Sequence, residues 1–116
     1  MKLKVFHCPD HLFRDALCLF TAAEMCVFIN NNMREYEHVA DVEVADTTDI
    51  NDSLLEVVFK KTNTIDGPWS ENEGVTPHKW PCRSTSKGDF VLSPTDGVYA
   101  VASIGFVSLA TTPKVL

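Results

Sequence analysis

The stretch DFVLSPTDGVYAVASIGFVSL, residues 89–109, decides the fold class of this chain. It contains three short runs rich in β-branched and aromatic residues, DFVL, GVYAVAS and GFVSL, with the turn residues of SPTDG and IG between them. Connections this short join neighbouring strands in antiparallel pairs. The stretch therefore predicts an antiparallel meander of three strands.

Two further segments have the period of a strand. Residues 2–6, KLKVF, alternate polar and apolar, with Leu3 and Val5 directed inward. Residues 36–46, YEHVADVEVAD, predict a half-exposed strand with a charged outer face. Its alternation places Ala40, Val42 and Val44 on one face and Val39, Asp41 and Glu43 on the other.

Two segments predict helices. Leu12, Ala16, Leu19, Ala23 and Cys26 recur at helical spacing and predict one helix from about residue 11 to residue 29. Residues 52–63, DSLLEVVFKKTN, predict a second helix, capped by Asn51 or Asp52, whose buried stripe is Leu54, Leu55, Val58 and Phe59.

Helices with one apolar stripe each must cover a face of the sheet. The expected fold is therefore α+β in two layers: an antiparallel sheet of about four or five strands with two helices packed on one face. The 116 residues suffice for a single domain, 1–116.

Composition limits the cellular context. The start of the chain, MKLKVFHCPDHLFRD, lacks the unbroken apolar stretch of a secretion signal, and the apolar run 16–29 is too short to span a bilayer. We therefore expect a cytoplasmic protein without membrane contact, whose four cysteines are free thiols.

The formal charge of -6 is concentrated in one segment. Eight acidic residues and no Lys or Arg lie between Glu35 and Glu56. This balance disfavours direct nucleic-acid binding, which needs Lys and Arg against phosphate. The segment predicts an acidic face suited to a partner with a basic surface, or one that only keeps the strand soluble. The residues of this face are Glu37, Asp41, Glu43, Asp46 and Asp49.

Polar side chains are dense in two neighbouring runs, NTIDGPWSENEGVT (63–76) and RSTSKGD (83–89). In one interpretation they form a structural clasp, in which Arg83 pairs with Asp66 or Glu71 and the hydroxyl groups bind loop amides. In the other they surround a pocket, where the carboxylates act as acid and base or bind a ligand. The cluster consists of Asn63, Asp66, Trp69, Glu71, Asn72, Arg83, Ser84, Thr85, Ser86 and Asp89.

Other chemistry has weaker support in the sequence. Cys82 lies near His78 in HKWPCRS, but neighbours in sequence need not face each other, so we expect no catalytic residue there. The spacing of His7, Cys8, His11, His78 and Cys82 matches no zinc finger or ribbon, and the nucleotide-binding glycine motifs are absent. No metal and no cofactor are therefore expected.

The tryptophans of this region, Trp69 and Trp80, have two possible roles. An indole in a loop containing proline either packs on the core or is exposed as an anchor for a partner. Core packing is the favoured role, and an exposed Trp69 would be the expected binding hot spot.

Several of these motifs together resemble a known group of proteins. The patterns T-N-x-I-D-x-x-W-x-E-N, R-S-T-S-x-G-D and Y-x-V-x-x-x-G-F, here within residues 36–110, resemble those of small bacteriophage and plasmid proteins and the ending of YodL-like domains. Lys87 departs from the apolar residue frequent at that position. The resemblance implies a protein that is encoded by a mobile element and acts in the host cytoplasm, and it implies no mechanism.

We therefore expect a non-enzymatic accessory protein of a phage or mobile element that binds a host protein through the acidic face and the Trp-bearing loop. The alternative is a small-ligand-binding or hydrolytic domain that uses Asp66, Glu71, Arg83 and Ser86. The sequence leaves the oligomeric state open.

Overall fold

A computed structural model describes residues 1–19, 21–65, 67–95 and 97–109. The strands are β1 (Lys2–His7), β2 (Glu37–Glu43), β3 (Val75–Pro77), β4 (Phe90–Leu92), β5 (Val98–Val101) and β6 (Phe106–Ser108). The helices are α1 (Asp10–Leu17), α2 (Ala22–Asn32) and α3 (Asp52–Lys61), with 3-10 turns at Met33–Glu35 and Trp69–Glu71.

The six strands of the described residues form one sheet in the order β3-β2-β1-β4-β5-β6, and every pair of neighbours is antiparallel. The α+β class and the antiparallel meander β4-β5-β6 are confirmed. The additional strand is β3, a three-residue segment at one edge of the sheet.

The helices cover both faces of the sheet, and this corrects the expected two-layer arrangement. Successive residues of β4 point to opposite faces, so Phe90 packs with Met25 and Ile29 of α2, whereas Val91 packs with residues of α3. Val91 belongs to the same hydrophobic cluster as Leu55 and Val58 of α3. The described chain is thus layered helix, sheet, helix, because both sheet faces are apolar and each must be covered.

The predicted helix 11–29 is two helices. Thr21 accepts a hydrogen bond from the backbone N–H of Glu24 (3.0 Å), and the Glu24 carboxylate accepts one from the N–H of Thr21 (3.0 Å). This capping box starts α2 and ends the continuity with α1. The pattern Thr-x-x-Glu that produces it is visible in the sequence.

A β-bulge interrupts the alternation of β2. Val5 pairs with Ala40 but Phe6 pairs with His38, so Val39 is the extra residue. Val39 is therefore buried, although the alternation predicts it outside. His38 and Asp41 consequently face the same side, which three residues of separation would not allow in a regular strand.

The prediction for β1 is confirmed. The helix α3 lies in the predicted segment, with Leu55 and Val58 of its stripe buried and Leu54 and Phe59 partly buried. Leu3 and Val5 are fully buried, and Asn51 caps α3 by accepting a hydrogen bond from the N–H of Leu54 (2.9 Å). Over the described ranges, no helix is long and apolar enough to cross a membrane.

Candidate functional site

The two polar runs meet where β1 ends and β4 begins, around the buried carboxylate of Asp89. Arg83 binds it with both terminal nitrogens, at 2.6 Å to Oδ2 and 2.8 Å to Oδ1. The backbone N–H groups of Cys8 (2.8 Å) and Ser86 (2.7 Å) donate to the same carboxylate. Four N–H donors therefore satisfy this carboxylate, and the chain has closed a loop around it.

The Arg83 guanidinium also has partners on its remaining sides. It donates to the carbonyl oxygens of Cys8 (3.1 Å) and Ser84 (3.0 Å), and it lies over the ring of Phe13, 4.4 Å from the centroid. The ion-pair partner of Arg83 within the described residues is Asp89 and not Glu71, whereas Asp66 lies outside the described residues. Arg83 thus joins the end of β1, α1 and the start of β4.

Gly88 is required in this loop by two constraints. Its φ is +91°, and a Cβ placed there would lie 2.5 Å from the Cβ of Ala16 in α1. Only glycine meets both demands, a left-handed backbone and a close approach to a helix.

Hydrogen bonds join the first run to the second. The indole N–H of Trp69 donates to the carbonyl oxygens of Cys82 and Arg83, both at 3.1 Å. The N–H of Thr64 donates to the Ser84 hydroxyl (3.0 Å), and the N–H of Thr85 donates to the carbonyl oxygen of residue 62 (3.0 Å). The two runs therefore face each other, and the bonds between them are mainly to backbone groups.

Other predicted cluster residues bind the local backbone. The side-chain amide of Asn72 donates to the carbonyl oxygen of Lys61 (2.7 Å), and that of Asn63 donates to the carbonyl oxygen of Phe59. Glu71 is exposed in its 3-10 turn. Among the residues that the structure describes, every buried side-chain nitrogen and oxygen has a hydrogen-bond partner.

His7 and Cys82 form a pair that sequence reasoning missed. Thr62 donates to the carbonyl oxygen of Val58 (3.1 Å) and Thr85 donates to the Thr62 hydroxyl (2.7 Å), so Thr85 must accept from Nε2–H of His7 (2.9 Å). Nδ1 of His7 is then the acceptor that faces the Cys82 sulfur at 3.3 Å. The histidine that contacts Cys82 is therefore His7, which is distant from it in the sequence.

The electrostatics of this pair do not favour a nucleophile. Burial lowers the pKa of His7 to about 4, although the Asp89 carboxylate acts in the opposite direction. Burial also raises the pKa of the Cys82 thiol. Near neutral pH the pair is therefore a neutral thiol and a neutral imidazole, without the thiolate that attack on a substrate needs.

A cleft of about 310 Å³ opens beside this pair. His7, Cys82 and Arg83 form part of it together with Glu37, Lys79 and Pro81. Most of its charged groups have an ion-pair partner, because Lys79 binds Glu37 (2.5 Å) and Arg83 binds the buried Asp89.

The two tryptophans have different environments. Trp69 is fully buried and Trp80 is 46% exposed. Their rings meet edge to face, with centroids 5.3 Å apart and an interplanar angle of 88°. Trp69 therefore packs in the core, which is the role favoured from the sequence, and the exposed indole is that of Trp80.

The acidic face is largely paired with cationic or hydrogen-bonding groups. The Met1 amino group lies 2.7 Å from Asp46 and 3.7 Å from Glu43, and Asp49 accepts from the Asn51 amide. Glu37 binds Lys79, as described above. Asp41 lies between two histidines, at 2.8 Å from Nε2 of His38 and 2.8 Å from Nε2 of His78.

The group His38, Asp41 and His78 was not predicted from the sequence. Of the residues considered as zinc ligands from the sequence, His78 belongs to this group, whereas His11 binds Glu35 (3.0 Å).

No family profile, curated protein or solved structure matches this chain.

Proposed function

We propose that this protein is a non-enzymatic accessory protein that acts by binding a partner protein, through a surface centred on Trp80. The observation that carries the proposal is the half-exposed indole of Trp80, braced edge to face on the buried Trp69. An aromatic side chain that is already held in place loses little conformational entropy on binding, which is a property of interface hot spots.

The segment 78–82 that carries Trp80 is joined to the acidic strand β2. The N–H of His78 donates to the carbonyl oxygen of Val39 (2.7 Å), and the side chains of His78 and Lys79 bind Asp41 and Glu37. The acidic strand and the segment that carries Trp80, separate in the sequence, therefore supply one continuous surface. We name the surface formed by residues 78–82 and by Glu37 and Asp41 the Trp80 surface.

The expected partner presents an apolar or aromatic side chain to Trp80 and to the neighbouring cleft, where Val39, Pro81 and Cys82 lie. Because Glu37 is paired with Lys79, charge is a secondary contribution, and we place the main anchor on the indole. As a mobile-element protein it would take its partner from the host cell, and that origin rests on the sequence resemblance alone.

We do not propose an enzymatic function. Within the described polar runs and the neighbouring cleft, Arg83 and Asp89 bind each other, and His7 and Cys82 are neutral near pH 7. These contacts favour the structural role of the two polar runs.

The test compares immobilised wild-type protein with Trp80→Ala and with the matched control Ile104→Ala, which removes another exposed apolar side chain, at the β5-β6 connection. We expect at least one bacterial protein to be retained by wild type and by the control and to be lost with Trp80→Ala. With the purified partner, Trp80→Ala should weaken Kd by about 30-fold or more, as for a hot spot worth about 2 kcal/mol.

Unchanged thermal unfolding of both variants is the control for folding. The proposal is refuted if folded Trp80→Ala retains the same proteins with the same affinity as wild type.

A further inference from the structure

Two histidines and one aspartate converge on the exposed side of the β2-β3 edge. Nε2 of His38 lies 2.8 Å from Oδ1 of Asp41, and Nε2 of His78 lies 2.8 Å from Oδ2. The two imidazole rings are 4.4 Å apart between centroids, and one ligand atom from each of the three residues lies within 4.8 Å of the other two.

The β-bulge at Val39 produces this convergence. It turns His38 to the side of Asp41, and the carbonyl oxygen of Val39 accepts the N–H of His78, which brings the third residue alongside. The ring of His38 is further held by stacking on Phe6, with centroids 5.0 Å apart. Backbone geometry and packing therefore position the three side chains.

We propose that His38, Asp41 and His78 bind a divalent transition-metal ion, with Zn²⁺ the best match. Two imidazole nitrogens and one carboxylate oxygen are a donor set that Zn²⁺ uses in proteins. Zinc bonds of about 2.0–2.2 Å place ligand atoms at most about 4 Å apart, so a small rotation of these partly exposed side chains is sufficient.

Each histidine now directs Nε2 to the carboxylate as a hydrogen-bond partner. Metal binding would replace these hydrogen bonds with coordination bonds, with the imidazole proton on Nδ1 and the lone pair of Nε2 on the metal. Three protein ligands leave a fourth position for water or for a side chain of a partner. Since His78 starts the segment that carries Trp80, the ion would also fasten that segment to β2.

The site is tested on the untagged protein alone, so its outcome is independent of whether Trp80 binds a partner. Metal-free wild-type protein is titrated with Zn²⁺ by calorimetry and with Co²⁺ by absorption spectroscopy. We expect one equivalent to bind, with d-d absorption bands and without the intense charge-transfer band that a cysteine ligand would give.

Two ligand variants, His38→Gln and His78→Gln, should each bind Zn²⁺ at least tenfold more weakly. The matched control is His11→Gln, which removes an exposed histidine that also binds a carboxylate, and it should bind as wild type does. Circular dichroism of each variant tests whether the fold is retained, and the partial exposure of both ligands makes unfolding unexpected.

A second control, Cys82→Ser, tests the other nitrogen and sulfur pair, His7 with Cys82. The proposal is overturned if wild type binds no Zn²⁺ at micromolar concentration. It is equally overturned if binding is lost in Cys82→Ser while both histidine variants still bind as wild type does.

Discussion

Replacing Asp89 by Asn should destabilise this protein more than an ordinary loop substitution. The buried carboxylate accepts four hydrogen bonds, and an amide of the same size has one acceptor oxygen and an NH₂ group directed at donors. At least two bonds are lost, and Arg83 is left without its counterion. Breaking a buried ion pair from one side costs about 3–5 kcal/mol.

The lower half of that range is expected, because the Arg83 side chain is 26% exposed and water can solvate it in part. At about 4–5 °C per kcal/mol for a domain of this size, the midpoint of thermal unfolding should fall by roughly 12–20 °C. The assay is urea unfolding followed by tryptophan fluorescence, since the buried Trp69 reports on the same region.

Two comparisons decide whether the reasoning holds. Lys79→Gln breaks the exposed pair with Glu37 and should leave stability unchanged within error. The double variant Arg83→Met with Asp89→Asn should be less destabilised than the sum of the two single variants by more than about 1 kcal/mol, because each single change leaves a partner unpaired. A loss below about 1 kcal/mol in Asp89→Asn would refute the buried-pair argument.

Three further perturbations follow from the same structure. Because the pKa of His7 falls from the ordinary 6.5 to about 4 on folding, the folded state disfavours the protonated imidazole. The stabilisation of the folded state through neutral His7 is therefore fully present above pH 6.5 and is lost as the pH falls toward 4. Between pH 4 and pH 7 the free energy of unfolding should therefore change less in His7→Gln than in wild type, by up to about 3 kcal/mol. An equal dependence on pH in the two proteins would contradict this prediction. Gly88→Ala should cost about 2–4 kcal/mol in denaturant unfolding, from the clash with Ala16 and the positive φ, and a neutral result would show that the helix moves away. Thr21→Ala should cost about 1 kcal/mol of thermal stability through loss of the α2 cap, whereas Thr21→Ser should not.

The sequence could predict those elements whose signal is local. The meander β4-β5-β6 follows from turn residues between short apolar runs, and α3 from its cap and its stripe. The edge strand β3 is three residues that end in Pro77, too short for any alternation to be counted. The break between α1 and α2 carries a local signal, Thr21-x-x-Glu24, but helical periodicity continues across it.

The candidate site was less predictable, because its contacts depend on chain pairing. The bulge that aligns His38 with Asp41 exists only in the register between β1 and β2, which no single segment encodes. Likewise, Arg83 binds Asp89 six residues away because the loop turns back around the carboxylate. The residue spacings that bring side chains together in a helix or a strand therefore do not predict this pair.

The density of polar residues in the two runs has a physical cause other than catalysis. Three ends of regular elements meet at one buried place: β1 ends before Cys8, α3 ends before Thr62, and β4 begins after Asp89. Backbone groups released there cannot reach water, so side chains must satisfy them. The hydroxyls, the carboxylate and the guanidinium of the two runs do so.

Residues 78–82, between those two runs, lie at the surface. This segment lies on the sheet edge beside β2, with an exposed indole and a histidine directed at Asp41. Both of its ends are held in place: Trp69 donates to the carbonyl oxygens of Cys82 and Arg83 at one end, and β3 pairs with β2 at the other. A rigid frame around an exposed segment is the arrangement that presents binding residues at low entropic cost. Substitutions in the frame should therefore change stability and binding together, whereas those of Trp80 should change binding alone.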